Sequence, residues 1–544
     1  MNILLLEPDY KNKFPPIGLM KLAQFHRSRG DFVCFAKGVI DPKQAPTPLP
    51  KKWDKVYITS LFTFEWERTV ATIAYAKTLV SPQNIHLGGV AATLMPDKYE
   101  AATGIRPHTG LLHCAKQLGF DDNTCIDTLV PDYSILEQVS HTYAFADAYL
   151  LTATRGCGQK CSFCAVQTLE PQYEHYIPIL PRIAEIDRLY GQKRRLCLLD
   201  NNVLRSKAFS QIIADIKTAG FYKGATITNP KTGKQVRRSV DFNQGLDSLW
   251  LSEEKAKLLG EIALSPCHIA FDHIHEKERY VKALTLLERY DVTDVCSYLL
   301  FNTPDFQGKG ASRPADTPRD LYERVRINAE FARDANIHRK KRAAKRFDGY
   351  SFPMRYSPLD QTDRLYIGPN WNKKLLAGLH EIKSPANGGI AATWNTYLSF
   401  MGSSYEEFYE NLLLPQAYVK GRNPKGNPIW HYAISNWRLL YRALSAAEKQ
   451  EFEDTIADNI FVAEKLEHIT SAKVRLLYLH YFVSGTSFLK LLQYLSANPK
   501  YIPFLQSLIA HCPAIWGRTV LMLKGKNSPR IYANMLKCSC KIIH

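Results

Sequence analysis

Through the first 360 residues, short apolar runs alternate with amphipathic stretches of helical period. That alternation restricts the chain to an α/β fold built on parallel strands. In residues 1–140 the strand patterns fall at 2–6, 32–36, 55–60 and 84–87. Helical patterns lie at 16–29, where Leu19, Leu22 and Phe25 share a face, and at 65–79. This order predicts a doubly wound, Rossmann-like sheet. Residues 145–360 repeat the alternation, with strands at 148–153, 196–199, 240–244, 268–271, 296–301 and 350–354. Helices are predicted between them at 207–219, 252–259, 276–290 and 318–335. Six such units predict a partial (β/α)6 barrel, with its chemistry at the C-terminal ends of the strands. Residues 370–544 show helical periodicity and no convincing strand. The clearest helical stretches are 437–444 and 474–495, the second interrupted near Gly485. The expected organisation is therefore three domains, at 1–140, 145–360 and 370–544, the last all-α.

Composition narrows the class. With 45% hydrophobic and 22% charged residues, the 544-residue chain reads as an ordinary folded protein of two to four domains. Its first residues carry no basic stretch, and the apolar run Ile3–Leu6 ends at Glu7, which reads as a strand rather than a secretion signal. No apolar run is long enough to span a bilayer, so the expected location is the cytoplasm. Thiols stay reduced there, and a tight cluster among the twelve cysteines points to metal before disulfides. Cys34, Cys197 and Cys296 lie in apolar strand patterns and read as core. The net charge of +18 is partly local. No Asp or Glu follows Glu467, whereas ten Lys and Arg do, and a second basic run covers 338–346. Such asymmetry implies either a polyanionic partner such as nucleic acid or a solvated basic face.

The segment that carries chemistry is Thr154-Arg-Gly-Cys157-Gly-Gln-Lys-Cys161-Ser-Phe-Cys164, directly after a strand pattern. Three thiolates at C-x3-C-x2-C spacing reach three corners of an iron–sulfur cubane. A structural zinc site normally has four protein ligands, and no fourth Cys or His follows in this loop. One metal corner is then open to a small molecule. The alternatives are a zinc site completed by a distant His and three unconnected thiols. The spacing, the aromatic Phe163 and the strand-end position argue against both. A further pair, Cys538 and Cys540, with His511 and Cys512 upstream, has no spacing that identifies a metal.

Cys157, Cys161 and Cys164, with an aromatic before the third, resemble the cluster loop of the radical S-adenosylmethionine (SAM) superfamily. The resemblance covers about residues 1–360. It implies a [4Fe–4S] cluster whose open iron binds the amino and carboxylate groups of SAM. It also implies an electron donor such as a flavodoxin or ferredoxin. Family members place polar groups at the end of the second barrel strand to hold the methionine amino group. Here Asp200, Asn201 and Asn202 stand where the common form is Gly-Gly-Glu, and an Asx turn is the alternative reading. Gln244, Asp272 and Asn302 end the following strands and are expected to line the site or to cap the next helices. Arg355 ends the sixth strand and is a candidate carboxylate or phosphate ligand, or an ion-pair partner.

Residues 1–140 resemble the cobalamin-binding-type domain that precedes the barrel in one branch of that superfamily. The similar segments are Phe14–Ala23, Thr59–Leu61 and Leu87–Gly89. The axial-histidine motif Asp-x-His-x-x-Gly is absent, and Glu7-Pro8-Asp9 follows the first strand. Cobalamin is therefore possible but not favoured. The expected function is radical SAM chemistry on an unknown substrate, with the catalytic residues unassigned. A tRNA- or RNA-modifying relative fits the basic charge, although Cys34, Cys114 and Cys125 are too widely spaced for an auxiliary cluster. The non-enzymatic alternative is a nucleic-acid-binding iron–sulfur protein.

Overall fold

The computed structural model describes all residues except 47, 230–231, 307–312, 387, 391–392, 421–427, 484 and 512–544. The fold is mixed α/β with parallel sheets and many helices. The strands are β1 (Asn2–Glu7), β2 (Phe32–Lys37), β3 (Lys55–Thr59), β4 (Ile85–Gly88), β5 (Ala148–Leu151) and β6 (Arg195–Leu198). After them come β7 (Thr226–Thr228), β8 (Gln235–Arg237), β9 (Ser239–Phe242), β10 (Cys267–Ala270), β11 (Asp294–Phe301) and β12 (Asp348–Arg355).

The first sheet is parallel in the order β2-β1-β3-β4. Leu4 pairs with Cys34 on one side and Val56 on the other, so the strand centres form one apolar layer. The helices Ile17–Ser28 and Trp66–Lys77 place Leu22, Phe25, Ile73 and Ala76 in the interior. Parallel strands covered on both faces must be apolar throughout, which is why these runs are legible in the sequence.

Two further parallel sheets have the orders β5-β6-β9 and β10-β11-β12. Parallel bridges at Val240–Leu264 and Leu246–Ile269 link the β9 segment to the β10 segment. Every residue of β5 is buried. The antiparallel pair β7–β8 departs from the expected pattern; each strand has three residues and a single apolar one, Ile227 or Val236, too short an alternation to reveal them. The helix Pro318–Lys341 runs past the expected end at 335 and takes in part of the basic run. Arg339 is buried there against Glu288 and Asp291, Arg342 pairs with Glu288 and Arg346 with Asp348. Much of that run thus serves internal ion pairs.

The chain divides into two compact units, Met1–Ala315 with Ile327–Tyr366, and Asp316–Arg326 with Ile367–His544. Among the described residues the second unit has helices and no strand. The stretch 474–495 is broken as expected, into Ala472–Leu479, a 3-10 turn His480–Phe482 and Gly485–Ala497. Tyr478, Tyr481 and Phe482 are buried, and Tyr481 donates to the Leu413 carbonyl. Cys512, Cys538, Cys540, Lys524, Lys526 and Arg530 lie outside the described residues. No described helix is long and apolar enough to cross a membrane.

Candidate functional site

The thiol loop leaves β5 and is held down by a carboxylate from the end of β6. Asp200 is buried; its Oδ1 accepts from the Ala153 amide at 3.0 Å, from the Thr154 amide and from Thr154 Oγ1 at 2.6 Å. Burial pushes its carboxyl up to about 6, against the lowering effect of those donors. Glu170 ties the next turn: it accepts from the Gly156 amide at 2.8 Å, from Arg155 at 2.6 Å and from Asn201 Nδ2 at 2.8 Å. Gly156 has φ 67°, and a Cβ there would lie 2.3 Å from the Gln172 carbonyl oxygen. Only glycine fits this left-handed, crowded position.

The thiols follow. Asn202 Nδ2 donates to Cys157 Sγ at 3.5 Å and to Asp247 Oδ2 at 3.1 Å. Its amide nitrogen is thereby fixed toward two acceptors, and among the described residues its buried Oδ1 has no partner. Tyr173 donates to the Asn202 carbonyl at 2.8 Å, and Arg205 donates to the Cys157 carbonyl at 3.3 Å. Gln159 reaches the same Asp247 oxygen at 3.3 Å.

Burial pushes the Cys161 thiol up to about 12; the charges of Cys164, Asp272 and Cys157 act in the same direction and Arg313 opposes them. Burial also raises Cys164, and the charges of Cys157 and Asp272 add to that. The three thiols therefore lie within electrostatic reach of one another and of Asp272. A bound cation would supply the opposite charge that buried thiolates need. Among the described residues no three His, Cys, Asp or Glu side chains are grouped to hold a single metal ion. A cubane takes one thiolate per iron, so its ligands need not converge on one point. The donor set fits such a cluster.

Phe163 packs obliquely on Phe306 at 5.8 Å, which meets Tyr356 edge-on at 5.5 Å. Asn302 is buried with φ 66° and donates to the carbonyls of Tyr356 and Tyr366, each at 3.3 Å. Asn tolerates that left-handed geometry better than most residues. Gln244 is exposed and donates to Asn243 Oδ1 at 3.4 Å. Arg355 donates to the Tyr366 carbonyl at 2.6 Å. Thus Asn202 meets a thiol and Asp272 lies within electrostatic reach of Cys161 and Cys164; Asp200 and Asn201 act on the loop beneath them. Sequence reasoning missed Glu170, Tyr173 and Arg205. Their only signal is polarity close to a cysteine loop or strand end, which many surface residues share.

No protein-family model matches the chain, and no curated protein matches it. A solved structure with partial likeness is the radical S-adenosylmethionine methyltransferase TsrM from Kitasatospora setae, with tryptophan substrate and the SAM analogue aza-SAM bound. The two share 15% identity at a TM-score of 0.41, over 61% of this chain and 71% of that one. Likeness at that level carries no argument about function.

Proposed function

We propose that the chain is a radical SAM enzyme in which Cys157, Cys161 and Cys164 hold a [4Fe–4S] cluster. The observation that supports this most is the set of three thiols on one short loop, with Asn202 donating to Cys157 Sγ and its buried Oδ1 unpartnered among the described residues. When bound and reduced, the cluster supplies the electron that cleaves the SAM sulfonium to methionine and a 5′-deoxyadenosyl radical.

The chain's own residues bind and orient. Asn202 Oδ1, unpartnered among the described residues, is an acceptor suited to an ammonium N–H of the ligand. Asp200 and Glu170 fix the backbone from Ala153 to Gly156, so the thiols start from a defined geometry. Phe163, with Phe306 and Tyr356, shields one side of the loop from water. Gln244 and Asp272 serve the strand-end surface that faces the substrate, and buried Asn302 holds the Tyr356 and Tyr366 backbone behind it. In this reading residues 1–140 form a Rossmann-like layer, 145–360 a partial barrel and 370–544 a helical domain that helps select the substrate. A flavodoxin or ferredoxin delivers the electron. Cobalamin is not favoured in this reading: the loop after β1 lacks the axial-histidine motif, and Glu7 at the end of β1 is buried against Lys37 at 2.9 Å and the Tyr143 hydroxyl.

Anaerobic reconstitution tests the reading. The wild type should hold about four irons per chain at this site, and with reductant and SAM it should release 5′-deoxyadenosine. The triple change Cys157→Ala, Cys161→Ala, Cys164→Ala should abolish both. Iron and visible absorption retained in the triple variant, or no 5′-deoxyadenosine from an iron-loaded wild type, would refute it.

A further inference from the structure

Away from the thiols, a cavity of about 300 Å³ lies between the β3 and β4 ends of the first sheet and strand β5. Its wall is largely aliphatic, with Leu22, Ile58, Leu87, Leu112, Ile126 and Leu150. One side is ionic, formed by Lys21, Asp127, Arg155 and Arg182. Asp127, Arg155 and Arg182 also line a larger cavity of about 1230 Å³, which touches Glu170 and Glu174.

The cations on the ionic side differ in how they are matched. Lys21 pairs with Asp127 at 2.9 Å. Arg155 pairs with Asp127 and Glu170, each at 2.6 Å. Among the described residues Arg182 has no carboxylate in ion-pair range; it donates to the carbonyls of Thr152 at 2.8 Å and Pro178 at 3.1 Å. Burial and the Arg155 charge disfavour its cationic form, while Asp127, Asp200 and Glu174 favour it from farther away. Asp200 is engaged by the Ala153–Thr154 backbone instead. A guanidinium without a carboxylate partner at the end of an apolar cavity is the arrangement that recognises an anionic group on an apolar body.

We infer that this cavity binds a small amphipathic anion, a carboxylate or phosphate ester with an apolar body, anchored by Arg182. The site adjoins the base of the thiol loop through Arg155 but contains none of the three thiols, and its ligand is distinct from SAM.

Calorimetric titration of the full-length protein with octanoate, octyl phosphate, octan-1-ol and octylamine tests this. At least one anion should bind at a single site, with octan-1-ol about tenfold weaker or more and octylamine not bound. The preferred anion tells carboxylate from phosphate. Arg182→Gln should weaken that anion about tenfold or more and leave octan-1-ol unchanged, with Arg182→Lys in between. Equal binding of octan-1-ol and the anions, undiminished anion binding by R182Q, or no binding of either anion at millimolar concentration overturns the inference. The wild-type comparison decides by itself if R182Q does not fold.

Discussion

Asp200 shows how one residue shapes the site from below. Its carboxylate organises the backbone at Ala153 and Thr154, yet it does so from a buried position. The folded carboxyl, at about 6, lies above the ordinary aspartate range. The folded state therefore binds a proton more tightly than the unfolded chain does. The resulting stability is fully present below about pH 4 and is lost as the pH rises through about 6. Asp200→Asn keeps an oxygen for the same donors and removes the titration. Relative to wild type, the variant should gain stability between pH 4 and pH 7, on the order of 2–3 kcal/mol. Urea denaturation at the two pH values measures this, and a variant that tracks wild type at both would contradict it. Asn202 makes the complementary contribution, with one end of its amide held by Cys157 and Asp247 and the other unpartnered among the described residues.

Among elements, the helix Lys373–Lys383 approaches the helix Tyr405–Leu413 unusually closely. A Cβ at Gly378 would lie 2.1 Å from the Leu412 carbonyl oxygen, which is backbone and cannot swing aside. On the same helix, buried Lys374 donates to the carbonyls of Leu412 and Leu414, each at 2.9 Å, and so satisfies the end of the neighbour. Gly378→Ala must push the two helices apart and lengthen those bonds. The expected loss is about 1–3 kcal/mol, the usual cost of overpacking. Tryptophan fluorescence should follow it, since Trp437 is buried within the same unit. An unchanged urea midpoint would show that the crossing tolerates a methyl group.

Across the whole molecule, electrostatics is set by a net charge of +18. In the basic run at 338–346, Arg339, Arg342 and Arg346 are held in ion pairs. The acid-free stretch after Glu467 holds the larger surplus. A surplus of this size attracts polyanions through counterion release, whatever the chain catalyses. Labelled single-stranded RNA should associate with the full chain at low salt and dissociate steeply as salt rises. Changing Lys524, Lys526 and Arg530 to Glu should weaken it further. Salt-independent binding, or none at low salt, would rule out this electrostatic attraction.

The sequence alone determined where the strands of the parallel sheets lie. A strand covered on both faces is apolar along most of its length, as β1, β2 and β5 show, while β12 is legible from its alternation. It also determined the spacing of Cys157, Cys161 and Cys164, because those thiols share one short loop. It did not reveal β7 and β8, whose alternation is too short to recognise. Nor did it pair Asn202 with Cys157, 45 residues apart, or set Glu170 beneath Gly156. Only the tertiary structure decided that Asp200 faces the backbone while Asn202 faces a thiol. Adjacent residues after a strand diverge according to the turn they enter, and hydrogen bonds from distant segments select that turn. The unmatched Arg182 is likewise a tertiary fact. Whether a guanidinium has a carboxylate partner depends on which loops pack around it, and local composition carries no record of that.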